Sequence, residues 1–313
     1  MKVVLSGRRL WLSVLIASII MCTMGIVMAV LGGAAGARSG DSPASDEKNG
    51  AAAIKTVSAA ASEDSEPVRL TVVMYHGFTK DRSKQNKYMI DPSLLENDLQ
   101  YLTENGYHTI VTKELTEHFS KGTPLSEKPI MLTFDDGYYS NYLYAYPLLK
   151  KYGCRAVLSP IGNACSKAAE EKKQNEFYSQ CTISQLAEMS SSGVMELAYH
   201  TYGLHTAENG VQGVQKRPGE SAADYTSRLK EDIRCFREWL KGAGVGEVKC
   251  FTYPFGAKSA GTEEIVRNEG FTCAMDCEAK VNLLSSSEDL YSIHRFLRDG
   301  ADSVFPLSRW ENG

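Results

Sequence analysis

The chain has 313 residues, 43% of them apolar, and a formal net charge of −4 at neutral pH. That is enough apolar material for one sizeable globular core plus extensions. The mild acidity is spread along the chain, which excludes the basic footprint of a nucleic-acid-binding protein.

In chain order, the first feature is a run of 22 uncharged positions, residues 10–31, preceded by Lys2, Arg8 and Arg9. As a helix it would reach about 33 Å, close to the thickness of a bilayer core. The basic residues ahead of it favour a cytoplasmic N-terminus and export of the chain beyond the span. The expectation is a signal-anchor over residues 1–37, one membrane-spanning helix holding an extracytoplasmic domain at the cell membrane. Ala35-Gly36-Ala37 also has the small-x-small form of a signal-peptidase site, so secretion after cleavage near Ala37 stays open. Residues 38–69 are rich in Ala, Ser, Asp, Glu and Gly and predict a disordered linker. Residues 70–313 are then the working domain.

Within that domain, β-rich apolar runs at 69–75, 108–112, 130–134, 155–161, 195–199, 248–253, 271–275 and 291–296 alternate with helical periods. Leu95, Leu99 and Leu102 have i, i+4, i+7 spacing, as do Leu229, Ile233 and Phe236, continued by Leu240. This alternation predicts an α/β fold with a mostly parallel sheet. No Gly-rich phosphate loop follows the first strand, so a distorted (β/α) barrel of seven or eight units fits better than an open dinucleotide fold, and no organic cofactor is called for. In such a barrel chemistry sits at the C-terminal ends of strands. Of eight cysteines, Cys22 lies in the apolar run. The other seven lack the repeated C-x-x-C spacing of a structural zinc site; Cys273 with Cys277, or Cys165 with Cys181, could pair, and free thiols are the alternative.

The strand ends carry the informative residues. "TFDDG" at 133–137 puts Asp135 and Asp136 at the end of a buried strand, with Gly137 to turn the chain. Adjacent carboxylates repel unless a cation or proton lies beside them; alternatively, one caps the next helix and the other is solvated. "HTYGLH" at 200–205 follows another strand and holds His200 and His205, which converge only if the loop folds back. Together with one aspartate, these histidines form the His, His and carboxylate set of an open catalytic metal site. His76 stands at the mouth of the first strand, and "TYPFG" at 252–256 offers aromatics for a pocket wall.

On these motifs the sequence resembles the polysaccharide deacetylase family, also called the NodB-homology or carbohydrate esterase 4 family. "TFDDG" matches its first motif. "HTYGLH" looks like its second, H-[ST]-x-x-H, with one extra residue, a spacing that together with the early "VVMYH" resembles the branch of exported poly-N-acetylglucosamine deacetylases. The resemblance implies a metal held by Asp136, His200 and His205, Zn²⁺ foremost and Co²⁺, Ni²⁺ or Mn²⁺ as alternatives. It makes Asp135 the general base and His76 the acid, with His294 as the alternative acid. It also implies substrate contacts from the Tyr138 backbone N–H and from Tyr253, Pro254, Phe255 and Gly256. Thr252 stands where the family has an arginine that orients the base, and Arg295 is the candidate replacement, grouped here with the substrate-binding residues. Asp276 is the one counterpart of the family's D-x-x-D-W motif.

The implied activity is metal-dependent removal of N-acetyl groups from the amino sugars of an extracytoplasmic glycan, peptidoglycan or poly-N-acetylglucosamine. An O-acetyl esterase on xylan or a similar glycan could use the same site. A glycan-binding module that has lost catalysis would be expected to lack one of Asp135, Asp136, His200 or His205, and all four are present.

Overall fold

In the computed structural model, residues 66–171 and 173–312 are described. The expected signal-anchor and most of the linker fall outside them. Among the described residues no helix is long and apolar enough to cross a membrane.

The first strand, β1 (Val68–Tyr75), is buried over its last six positions. Burial on both faces is what a near-continuous apolar run predicts for a parallel strand inside a layered α/β fold. It begins two residues inside the stretch assigned above to the linker, and Val68 is already paired with Leu284. Apart from four two-residue strands in short side pairs, the later strands are β2 (His108–Ile110), β3 (Pro129–Asp136), β4 (Ala156–Pro160), β5 (Met195–Leu197), β6 (Cys250–Thr252), β7 (Cys273–Met275), β8 (Asn282–Leu284) and β9 (Phe296–Leu297). Each expected run contains one of them or ends beside one.

Strand β1 pairs in parallel with β3, from Thr71↔Ile130 to Tyr75↔Phe134. Strand β3 continues to β4, and β4 to β5. A bridge between Tyr199 and Phe251 carries the parallel pairing on to β6, which pairs with β7. A second bridge, Met275 to Ile293, leads to β9, and β9 returns to β1 through Val73↔Phe296. The pairing therefore runs round in a ring whose weakest joints are single bridges. Strand β2 pairs with the start of β3, and β8 runs antiparallel to β1. The α/β class and the mostly parallel sheet are as the sequence predicts; the antiparallel β8 had no signal distinguishing it from a loop.

Helices fill the crossovers. Helix α1 (Pro92–Glu104) starts with Asp91 accepting from the Ser93 N–H and Pro92 in its first turn, and it buries Leu95, Leu99 and Leu102. Helix α2 (Ala222–Lys241) is capped by Ser221 and buries Tyr225, Leu229, Ile233, Phe236 and Leu240, with Asp232 on the same face. The seven described cysteines are all free thiols, so neither candidate pairing is made.

A buried ion pair ties the segment after β9 to helix α1. Arg298 donates to Asp98 of α1 at 2.7 and 3.1 Å, and Asp98 also accepts from the Tyr75 hydroxyl at 3.0 Å. Both charged side chains are fully buried. Removing one partner of such a pair strands the other charge. Asp98→Ala and Arg298→Ala should each lose about 3–5 kcal/mol in urea unfolding, with the double variant losing less than the sum. Glu117→Ala, which breaks an exposed pair with Lys121, should stay within about 0.5 kcal/mol of the parent.

Candidate active site

A regular strand sends adjacent side chains to opposite faces. Strand β3 breaks that rule at its end: Asp136 has φ 69° and Gly137 φ 73°. Only glycine fits at 137, because a Cβ there would lie 2.8 Å from the Pro160 Cβ. The kink brings both carboxylates to one site, where His76 and His200 act on each of them. Thr201 (φ 72°) and Phe255 (φ 60°) are also left-handed, so three of the five described non-glycine residues of this kind border the site. Such strain persists only where surrounding structure overrides it.

Asp136, His200 and His205 come together. The Asp136 Oδ1 lies 3.5 Å from His200 Nε2 and 3.4 Å from His205 Nε2. These gaps are long for a charge-assisted hydrogen bond. They match the edge of a tetrahedron whose ligand atoms sit roughly 2.0–2.1 Å from a central ion, about 3.4 Å. The residues therefore fit a divalent metal. His200 is buried and sets its Nδ1 2.9 Å from the Thr252 carbonyl; a carbonyl only accepts, so Nδ1 carries the proton and Nε2 is left as a ligand.

Asp135 is gripped from behind. Arg295 Nη1 donates to its Oδ1 at 2.8 Å and Nη2 to its Oδ2 at 2.9 Å. The Arg295 Nε donates to the Asp276 carbonyl at 2.7 Å. Burial works to raise the Asp135 pKa, but Arg295, with His200 and His76, holds it below the usual carboxylate range. Burial likewise opposes ionisation of Asp136, yet its histidine neighbours carry it well below that range. His76 is depressed by burial, against the pull of Asp135 and Asp136. Its Nδ1 is buried without a partner, its carbonyl accepts from Asn141 at 2.6 Å, and its ring lies 4.7 Å from that of Tyr88.

Gly137 O accepts from Cys181 N and Tyr139 N donates to Ser179 O. The intervening Tyr138 N–H is thus turned away from that pairing. Of the TYPFG segment, Phe255 is exposed and its ring lies 4.6 Å from that of His205, while Gly256 is half-buried. Tyr253 and Pro254 are buried, and Tyr253 packs on Phe251 in the core. Arg295 has no exposed surface either. It supplies to Asp135 the guanidinium that Thr252 lacks. His294 sets its Nδ1 3.0 Å from the Asp276 carboxylate and 3.7 Å from that of Glu278.

A family model for polysaccharide deacetylases matches residues 122–274, a stretch that contains both aspartates and both ligand histidines. Over that stretch the chain matches a polysaccharide deacetylase domain. It is 26% identical over 245 residues to the poly-beta-1,6-N-acetyl-D-glucosamine N-deacetylase of Escherichia coli K12, a match covering 72% of this chain and 36% of that protein. The chain thus spans about a third of the length of that relative. Among solved structures, IcaB from Ammonifex degensii is 25% identical with a TM-score of 0.60, over 79% of this chain and 95% of that one. A de-N-acetylase from Aggregatibacter actinomycetemcomitans shares the fold, with a TM-score of 0.65 at 23% identity, covering 78% of this chain and all of that one. His76 and Arg295 of the deacetylase domain lie outside the matched stretch.

Sequence reasoning missed Asp232, whose carboxylate on α2 accepts from the Tyr202 and Gly203 N–H groups, each at 2.7 Å. A charged residue on the apolar stripe of a helix was the available signal.

Asp136, His200 and His205 form a cluster able to hold a metal, and Asp135 stands apart from it on Arg295. After loading with Zn²⁺ and dialysis, His200→Ala and His205→Ala should lose most of their metal by elemental analysis, since each removes one of three ligands. Asp135→Asn should keep it. Equal loss in Asp135→Asn would mean that the adjacent aspartates have exchanged roles.

Proposed function

We propose that the domain hydrolyses N-acetyl groups on the amino sugars of a glycan of the poly-β-1,6-N-acetylglucosamine type. The observation that carries this reading is the pairing of an Asp136–His200–His205 triad with a separate, arginine-held carboxylate, Asp135. The names of the relatives support the polymer. The charge-flanked apolar run at 10–31 supports action outside the cytoplasm, anchored or secreted.

A divalent ion held by Asp136, His200 and His205 would supply Lewis-acid chemistry, polarising the acetamide carbonyl and acidifying water. Asp135 is the proton acceptor. Arg295 occupies one acceptor lone pair on each of its oxygens, and a carboxylate oxygen has a second lone pair for water. The grip also fixes its orientation and keeps it ionised. The Tyr138 N–H, left free by the pairing of its neighbours, is the donor we assign to the oxygen on which charge develops.

An amine leaves an amide only if it is protonated, and His76 hands over that proton. Burial keeps the ring neutral at rest, so it gains the proton during turnover, which the two neighbouring carboxylates favour. Phe255 and Tyr88, both exposed beside the histidines, offer flat apolar faces for sugar rings.

Acetate release from oligomers of β-1,6-linked N-acetylglucosamine, compared with peptidoglycan fragments, tests the reading; no release from the former would defeat it. Asp135→Asn should lose at least ~10²-fold in rate, the usual scale for a general base. His76→Ala should damage amide hydrolysis far more than hydrolysis of an activated aryl acetate, whose phenolate leaves without a proton. If His294→Ala alone shows that amide-selective defect, the acid is misassigned.

A further inference from the structure

We infer that Asp232 is the positioning residue that makes the two histidines of the 200–205 loop converge, and that it sets the metal affinity of the site without touching the metal. The inference rests on the reading of Asp136, His200 and His205 as a metal site.

Two histidines five residues apart do not converge on a regular element. Some force must fold the intervening Thr201-Tyr202-Gly203-Leu204 back. Asp232 Oδ1 accepts from the Tyr202 N–H and Oδ2 from the Gly203 N–H, both at 2.7 Å, so one carboxylate clamps two successive peptides at the apex of the loop. The Tyr199 hydroxyl, from the residue just before His200, also donates to Oδ1. The carboxylate therefore ties the start and the apex of the loop to one point.

That point is rigid. Asp232 lies within the 20-residue helix α2, whose neighbouring Leu229, Ile233 and Phe236 are fully buried, and the Tyr199 ring packs edge-on against Phe236 at 5.0 Å. Asp232 is itself buried, at 8% exposure, and no salt bridge reaches it among the described residues. Its charge is met by those three donors. Ionised carboxylates accept only, so all three bonds are of the charge-assisted kind. The local alternative is absent: the Thr201 hydroxyl inside the loop is buried without a hydrogen-bond partner, and Thr201 is held at φ 72°. A β-branched residue in that region is disfavoured, so the loop keeps a strained shape that its own side chains do not secure.

Asp232→Asn preserves shape and replaces one acceptor oxygen by an NH₂ group, which would face an N–H donor. The loop should relax, and His200 and His205 should spend less time at ligand spacing. Outer groups that orient ligands typically alter metal affinity by 10–100-fold. The experiment is a Zn²⁺ competition titration of wild-type domain and Asp232→Asn against a chromophoric chelator, with circular dichroism of both metal-free proteins. The expected result is at least about tenfold weaker Zn²⁺ binding with an unchanged spectrum, and deacetylation that recovers in excess Zn²⁺. A merely structural role would lower the melting temperature and leave the Zn²⁺ affinity and its rescue unmoved; affinity within twofold of wild type in folded Asp232→Asn overturns the inference. Should Asp232→Asn not fold, Asp232→Glu keeps the charge but moves it by one methylene, and the same two outcomes apply to it. Failure of the wild type to bind Zn²⁺ would instead overturn the reading of the metal site.

Discussion

The buried contact between Arg295 and Asp135 is the constraint on which the site depends. Two adjacent carboxylates at the end of a buried strand can stay ionised only if positive charge is brought to them, and burial opposes both. Asp136 has His200 and His205 beside it. Under the proposed role of Asp135 as proton acceptor, a lone pair must stay free, so its counter-charge has to come from behind, from a group that does not dissociate. Guanidinium meets that need, since it stays charged and its fork matches both oxygens. The contact spans 160 positions of sequence, so it exists only because the pairing closes from β7 through Ile293 and Phe296 back to β1.

Much of this was legible in the sequence. Runs of β-branched and apolar residues located the parallel strands, because a strand buried on both faces cannot hide its composition. The helical stripes of α1 and α2 were equally clear. The clustering of Asp136, His200 and His205 and the paired aspartates could be read because they sit at strand ends, where an ionisable residue next to a glycine has few structural uses. What could not be read was orientation. Tyr253 and Pro254 belong to the same short loop as Phe255, yet they turn inward while Phe255 turns out; the left-handed φ at Phe255 decides this, and no composition signal predicts it. Arg295 was legible as a substitute for an absent arginine, but not as a side chain with no access to solvent.

The strained residues obey the same logic. Asp136 leaves the strand so that its carboxylate can join Asp135 on one side. Thr201 bends the loop between the histidines, and Phe255 presents its ring beside His205. Each conformation costs on the order of 1–3 kcal/mol, and each is held by packed or hydrogen-bonded neighbours: Pro160 against Gly137, Asp232 against Tyr202 and Gly203, the buried Tyr253 and Pro254 beside Phe255. The rigid core and the strained rim are thus parts of one arrangement.

Thr252 shows how such a site can be rebuilt without losing its geometry. With no long cation at this strand end, the threonine hydroxyl bonds to Ser159 at 2.8 Å and its carbonyl orients His200. The position has become a support for the metal ligands. The cation for the base enters from Arg295, reached around the ring. Strand ends in a closed sheet are neighbours in space whatever their order in the chain, so a long side chain can be supplied from a different one as long as its head group arrives at the same oxygens. A family pattern confined to residues 122–274 therefore contains the Asp136, His200 and His205 cluster, while His76 and Arg295, to which we assign work on protons and charge, lie on either side of it.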